Sequence, residues 1–208
     1  KKNQFENVKP KDALKHPTWK MGRKISIDSA TLVNKMLELI EAQKIFNLPD
    51  KKLEILIHPE SLVHAVIDLK NGLKKFIYHD TSMIIPLANA IFDENFNINF
   101  FYNKKRNTSI ESLRFKRVDK KIFPIIKIKK RLNEYPSTPI IINASNEILV
   151  DQFLNKKIPF LSIPKIIMAI LSDRNYKKYA IRIPKNISQI NIIDKWAKTT
   201  TMKKIRLI

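Results

Sequence analysis

The 208-residue sequence has no cysteine, which excludes disulfides, thiolate nucleophiles and every zinc or iron-sulfur site built on thiolate ligands. It has two glycines, Gly22 and Gly72, so neither the dinucleotide fingerprint G-x-G-x-x-G nor a phosphate-binding P-loop is present. No apolar run approaches the roughly 18 residues of a membrane span, and no segment reads as a signal peptide. A soluble protein is expected, with no membrane partner. The chain opens on Lys1 rather than Met and reads as a piece of a longer protein.

Acidic residues are scarce beside basic ones: 19 against 40, for a formal charge of +21. Clustered cations gain affinity for nucleic acid by releasing counterions, so a basic RNA-binding module is one reading. Its weakness is the distribution. Lysine supplies 32 of the 40 basic residues, spread along the chain, as in lysine-rich compositional drift rather than a shaped groove. No nucleic-acid partner is expected. Such a surface still steers small phosphorylated substrates toward it.

The periodicity predicts an α+β protein. After an irregular lead-in over 4–15 and a loop, "HPTWKMGRK" (16–24), a helix is expected to start behind Asp28 and Ser29, good cap types, and to run to Phe46. "LEILIHP" (53–59) reads as a buried strand. Two strands flanking Asn71-Gly72 read as a hairpin, because both turn residues accept positive φ. A second helix is expected over 82–92. Residues 96–118 read as a linker between a catalytic portion, 1–95, and a C-terminal helical bundle, 119–208. Within the bundle, helical spacing returns at 121–134, 143–155, 162–172 and 189–198, and "YAIRIP" suggests a short extended piece.

Several residues could carry chemistry. On a helical wheel Thr31, Asn34, Lys35, Glu38, Glu41 and Ala42 share one polar stripe; the plain reading is a solvated face with Lys35 paired to Glu38 or Glu41. Ser29 at the expected helix entrance could instead cap the helix or hold a phosphate against first-turn amides, helped by Lys35 and Asn34. Glu38 beside a phosphate makes sense if it holds Mg²⁺ or Mn²⁺, but one carboxylate does not make a site. Trp19 and Met21 either pack on the domain or belong to a lid. His58, His64 and His79 invite a zinc reading that Pro59 and their apolar strands argue against. "NASNE" (143–147) reads as a helix start.

Taken together, "HPTWKMGRKISIDSATLVNKMLELIEA" (16–42), "LIHPESLVHAVI" (56–67) and "NASNEI" (143–148) closely resemble the 1-deoxy-D-xylulose 5-phosphate reductoisomerase family of the non-mevalonate isoprenoid pathway. The resemblance implies a cytoplasmic homodimeric enzyme that uses NADPH and Mg²⁺ or Mn²⁺. It rearranges a phosphorylated sugar, then reduces the aldehyde formed. By the same resemblance His16, Ser29, Asn34, Lys35 and Glu38 bind substrate, Lys35 and Glu38 being catalytic and Glu38 the metal ligand. Trp19 and Met21 match the lid; Gly22, Met21, Ile25, His64 and Met83 match the cofactor side. The family's NADPH-binding domain and its Asp-Ser-Glu metal motif are not in this sequence, which therefore reads as a C-terminal part, inactive alone. "KKFIYHDTSMII" (74–85) departs from the family's "LGxPDM", keeping only Met83.

Overall fold

The computed structural model describes residues 3–15, 19, 21–92, 96–102 and 112–207. In chain order come α1 (Asn3–Glu6), α2 (Pro10–Ala13), α3 (Arg23–Thr31) and α4 (Val33–Phe46). Then follow β1 (Leu56–Ile57), β2 (Val63–Asp68), β3 (Lys74–Tyr78), α5 (Ile84–Phe92) and β4 (Lys116–Arg117). The chain ends in α6 (Thr138–Leu154), α7 (Ser162–Leu171), α8 (Tyr176–Ala180) and α9 (Ile187–Ile205). The α+β class expected from the periodicity is the class observed.

By packing, the chain forms two units: Lys1–His16 with Met21–Ile55 and Val118–Ile208, and Pro17–Lys20 with Leu56–Arg117. In the first unit α3 and α4 pack on α6. The core of the first unit joins Ile27, Val33 and Met36 to Ile141, Ile142, Leu149 and Phe153 of α6, all essentially buried. Each such side chain contributes roughly 1.5–3 kcal/mol. Helix α6 also packs on α7 and α9, which explains why apolar residues occupy more than one of its faces.

The predicted single helix behind Ser29 is two helices. Helix α3 starts at Arg23, capped by Gly22, so Asp28 and Ser29 lie in its later turns rather than before its first. At Leu32 the backbone turns left-handed (φ 62°, ψ 11°) and its N–H reaches Ser29 O at 3.1 Å, ending α3; α4 begins at the next residue. Thr31 supports the break. Its buried hydroxyl donates to the Ile27 and Asp28 carbonyls, at 2.9 and 3.1 Å, and accepts the Val33 N–H at 3.4 Å. Thr31 is thus removed from the expected polar stripe.

Elsewhere in this unit the predicted 121–134 helix is a 3₁₀ segment, Pro124–Arg131. "NASNE" is not a helix start, since α6 opens at Thr138 and places Ala144, Ser145 and Asn146 in its buried middle. "YAIRIP" begins inside α8 rather than as an extended piece.

In the second unit, the buried strand expected over 53–59 shrinks to two residues in β1, Leu56 exposed and Ile57 half-covered, antiparallel to β4. Its partner lies in the stretch expected to be a linker, whose described residues also include a 3₁₀ turn at Ile98–Phe100. The predicted hairpin is present as β2 and β3, but only Gly72 takes positive φ (87°). Gly72 N donates to Leu69 O (3.0 Å) and Leu69 N to Leu73 O (2.9 Å), which closes a three-residue loop. Val63 pairs with Tyr78 and Ala65 with Ile77, leaving His64 as the extra residue of a β-bulge.

A clamp holds β4 to the loop after β1. Arg114 Nε donates to Glu60 Oε1 at 2.6 Å and its N–H to Oε2 at 3.2 Å, while His58 Nδ1 donates to Arg114 O at 2.9 Å and lies 3.1 Å from Glu60 Oε2. The His58 ring stacks on Phe115, so the histidine is a packed, hydrogen-bonded one. The Arg114 hydrogen bond holds the Glu60 carboxyl down at about 2.

Candidate active site

Within the first unit the candidate residues fall on two helices. On α3, Gly22, Ile25 and Ser29 stand three and four positions apart, the spacing that shares one face. That face is open: Gly22 is exposed, Ile25 is 42% exposed and Ser29 is half-covered, while Ser26, Ile27 and Asp28 point inward. Gly22 has an ordinary φ of −60°, and a Cβ there would meet nothing within 4 Å. Its own backbone does not demand glycine. Met21, just ahead of it, is half-covered.

On α4, Asn34, Lys35 and Glu38 form one hydrogen-bonded group. Asn34 Nδ2 donates to Glu38 Oε1 at 2.5 Å, and Lys35 Nζ donates to Oε1 and Oε2 at 2.9 and 2.7 Å. Spacings of i,i+4 and i,i+3 bring them together. Both charged side chains are 45% exposed, so parting them costs under about 1 kcal/mol. The group is therefore easily rearranged: Lys35 can leave Glu38 for an anion, and Glu38 can then accept a cation. A hard carboxylate with an open side suits Mg²⁺ or Mn²⁺. Among the described residues no three His, Asp or Glu gather into a metal-binding group, so Glu38 offers no more than part of a metal site here. Ser29 is not where a phosphate could use the first-turn amides of α4, since it sits at the end of α3 with the Leu32 break between.

In the second unit, Trp19 meets His64 edge-on, with ring centroids 5.9 Å apart. His64 in turn stacks on His79, centroids 3.7 Å apart and planes 9° from parallel. Met83, at the end of the turn preceding α5, is 59% exposed. His16 lies outside the described residues.

Sequence reasoning did not find the polar group behind α3. Asp28 is 3% exposed; its Oδ2 accepts from Lys24 Nζ and its Oδ1 from Asn146 Nδ2, each at 2.7 Å. Asn146 Oδ1 and Ser145 Oγ are buried nearby on α6 without hydrogen-bond partners. The available signal was "NASNE" itself, polar residues at core positions of an apolar helix.

No helix among the described residues is long and apolar enough to cross a membrane. Comparison with known proteins accords with the motifs. Residues 1–46 match the model of the 1-deoxy-D-xylulose 5-phosphate reductoisomerase C-terminal domain, and residues 80–200 match that of the DXP reductoisomerase C-terminal domain. The second match runs through the expected linker. A 1-deoxy-D-xylulose 5-phosphate reductoisomerase of Pelagibacter ubique is 46% identical over 190 residues, 89% of this chain and 48% of the relative. One from Prosthecochloris aestuarii is 37% identical over 93% of this chain and 49% of its own length.

Among solved structures, a DOX-P reductoisomerase in complex with NADPH, fosmidomycin and magnesium superposes with a TM-score of 0.90 at 31% identity, covering 99% of this chain and 51% of that one. The Zymomonas mobilis enzyme in complex with NADPH gives 0.79 at 30% identity, covering 100% and 52%. The chain spans about half the length of the curated relatives it matches. It belongs to the 1-deoxy-D-xylulose 5-phosphate reductoisomerase family.

Proposed function

We propose that this chain is the substrate- and metal-binding part of a reductoisomerase that converts 1-deoxy-D-xylulose 5-phosphate to 2-C-methyl-D-erythritol 4-phosphate, using NADPH and Mg²⁺ or Mn²⁺. The observation that carries the reading is the exposed, weakly held Asn34–Lys35–Glu38 group on α4, in a chain whose sequence matches the family on both sides of it. Asn34 and Lys35 donate to the substrate's phosphate and hydroxyl oxygens, with Ser29 contributing its hydroxyl from α3. Lys35 keeps a positive charge beside the oxygens on which negative charge develops during carbon–carbon cleavage. His16, by its place in the motif, is a further substrate contact.

Glu38 would hold the metal together with ligands that the described residues do not gather around it, and also touches substrate. The ion, when bound, polarises carbonyl and hydroxyl oxygens. NADPH supplies the hydride, and by their places in the motifs Gly22 and Ile25 in the first unit, and His64 and Met83 in the second, are its contacts. Trp19 and Met21 form the lid that keeps water from the aldehyde. The net charge of +21 draws phosphorylated substrate toward the site. A cytoplasmic homodimer, with 1–95 as part of the catalytic domain and 119–208 as a C-terminal helical one, completes the reading.

The test is NADPH oxidation by the full-length protein, followed by absorbance with 1-deoxy-D-xylulose 5-phosphate and Mg²⁺, then after chelation. Substrate-dependent turnover that chelation abolishes is expected. Its absence in a folded full-length protein refutes the assignment.

A further inference from the structure

Nothing in the roles assigned above uses His79. It closes the β2–β3 hairpin, its N–H donating to Leu62 O at 3.0 Å and its Nδ1 donating to Asp80 O at 2.7 Å. Those two bonds fix both the backbone and the ring plane of the residue. Opposite it, His64 is the extra residue of the bulge, and a bulge turns one side chain out of the regular alternation of its strand. The result is two imidazoles lying face to face at 3.7 Å, with His64 Nε2 3.2 Å from the His79 carbonyl. A ring held on one face by a parallel ring and at one nitrogen by a carbonyl has little freedom. Trp19 then rests against the His64 ring at 84°, the edge-to-face arrangement that aromatic pairs favour.

From this chain of contacts we infer that His79 is a positioning residue for Trp19, acting through His64. Trp19 meets His64, and His79 stacks on that same ring. His79 holds the His64 ring in the one orientation that offers Trp19 an aromatic contact, and the bulge is what brings His64 within its reach. Trp19's membership of a lid rests on the proposed function; its dependence on His79 does not.

The test labels the full-length protein with fluorotryptophan and identifies the Trp19 fluorine resonance by its loss in Trp19→Phe. His79→Ala is expected to shift or broaden that resonance by more than its own linewidth while the Trp196 resonance, from the other unit, stays in place. His79→Gln keeps polarity and removes the ring, and is expected to behave like the alanine variant. His79→Phe keeps a flat ring against His64 and is expected to return the resonance close to its wild-type position. A Trp19 resonance that stays put in both His79→Ala and His79→Gln overturns the inference. So does a phenylalanine variant as displaced as the glutamine one. Should His79→Ala also move Trp196, the protein has opened more widely and the contrast between Gln and Phe decides. The resonance reports on Trp19 whether or not reductoisomerase turnover is found, so a failure here is distinguishable from a failure of the functional reading.

Discussion

Asn146 donates from Nδ2 to Oδ1 of Asp28 at 2.7 Å, tying the middle of α6 to the last turns of α3 across 118 positions of sequence. Both residues are buried, and the Asp28 carboxylate also accepts from Lys24, whose side chain is 46% exposed. Because Lys24 can rehydrate, removing Asp28 chiefly strands the Asn146 amide. Asp28→Ala and Asn146→Ala are each expected to lower stability by about 1–3 kcal/mol in chemical denaturation. The double variant should lose less than the sum of the two. Strict additivity would mean that the pair does not couple the helices.

Thr31 acts at the break between α3 and α4. Thr31→Val keeps shape and volume but withdraws a buried hydroxyl from two carbonyls and one amide. A loss of about 1–2 kcal/mol in thermal or urea unfolding is expected. No loss would show that Leu32 holds its left-handed conformation without this support.

Glu38→Gln in the full-length protein is expected to abolish metal-dependent turnover while NADPH binding, followed by fluorescence titration, is largely preserved. Glutamine retains an oxygen that Asn34 and Lys35 can still reach, so the helix itself should be unaffected. Turnover at the wild-type level would remove Glu38 from the metal site.

The clamp at Glu60 predicts a pH dependence. Its carboxyl sits at about 2 in the folded chain, against an ordinary value of 4.5, mainly because Arg114 hydrogen-bonds the charged form. A depressed carboxyl adds stability that is full above about pH 4.5 and is lost as the pH falls from there toward 2. The protection of the β1–β4 amides, measured against the intrinsic exchange rate at each pH, should therefore fall through that window. In Glu60→Gln the same segment should exchange faster at neutral pH and respond less to acid. An unchanged acid response in that variant would assign the effect to other groups.

Local chemistry made much of this legible in sequence. Asn71-Gly72 announced the hairpin, Gly72's positive φ being the part that mattered, and α4's apolar spacing announced its buried face. The Asn34–Lys35–Glu38 group follows from spacing on one helix, which a sequence displays directly. What stayed hidden depended on distant packing. Leu32's left-handed turn has no sequence mark, since leucine disfavours that conformation and only the hydroxyl of Thr31 and the burial of both residues sustain it. Asp28 looks like a cap until Asn146 is brought against it. "YAIRIP" suggests a short extended piece, yet Tyr179 and Ala180 belong to α8. His79 stands four places before Met83, where "LGxPDM" has glycine; a motif comparison marks the departure, but the stack on His64 needs the bulge.

The break at Leu32 gives the two arms of the site separate adjustments. The Gly22–Ile25–Ser29 face belongs to α3 and the Asn34–Lys35–Glu38 group to α4, two helices that pack on each other and on α6 but meet at a left-handed turn. A continuous helix would turn both faces together with any shift in its anchoring. With the break at Leu32, a substitution behind α3 can turn its face by a different amount from that of α4, so that on the proposed assignment residues that touch no ligand can alter how its parts are held.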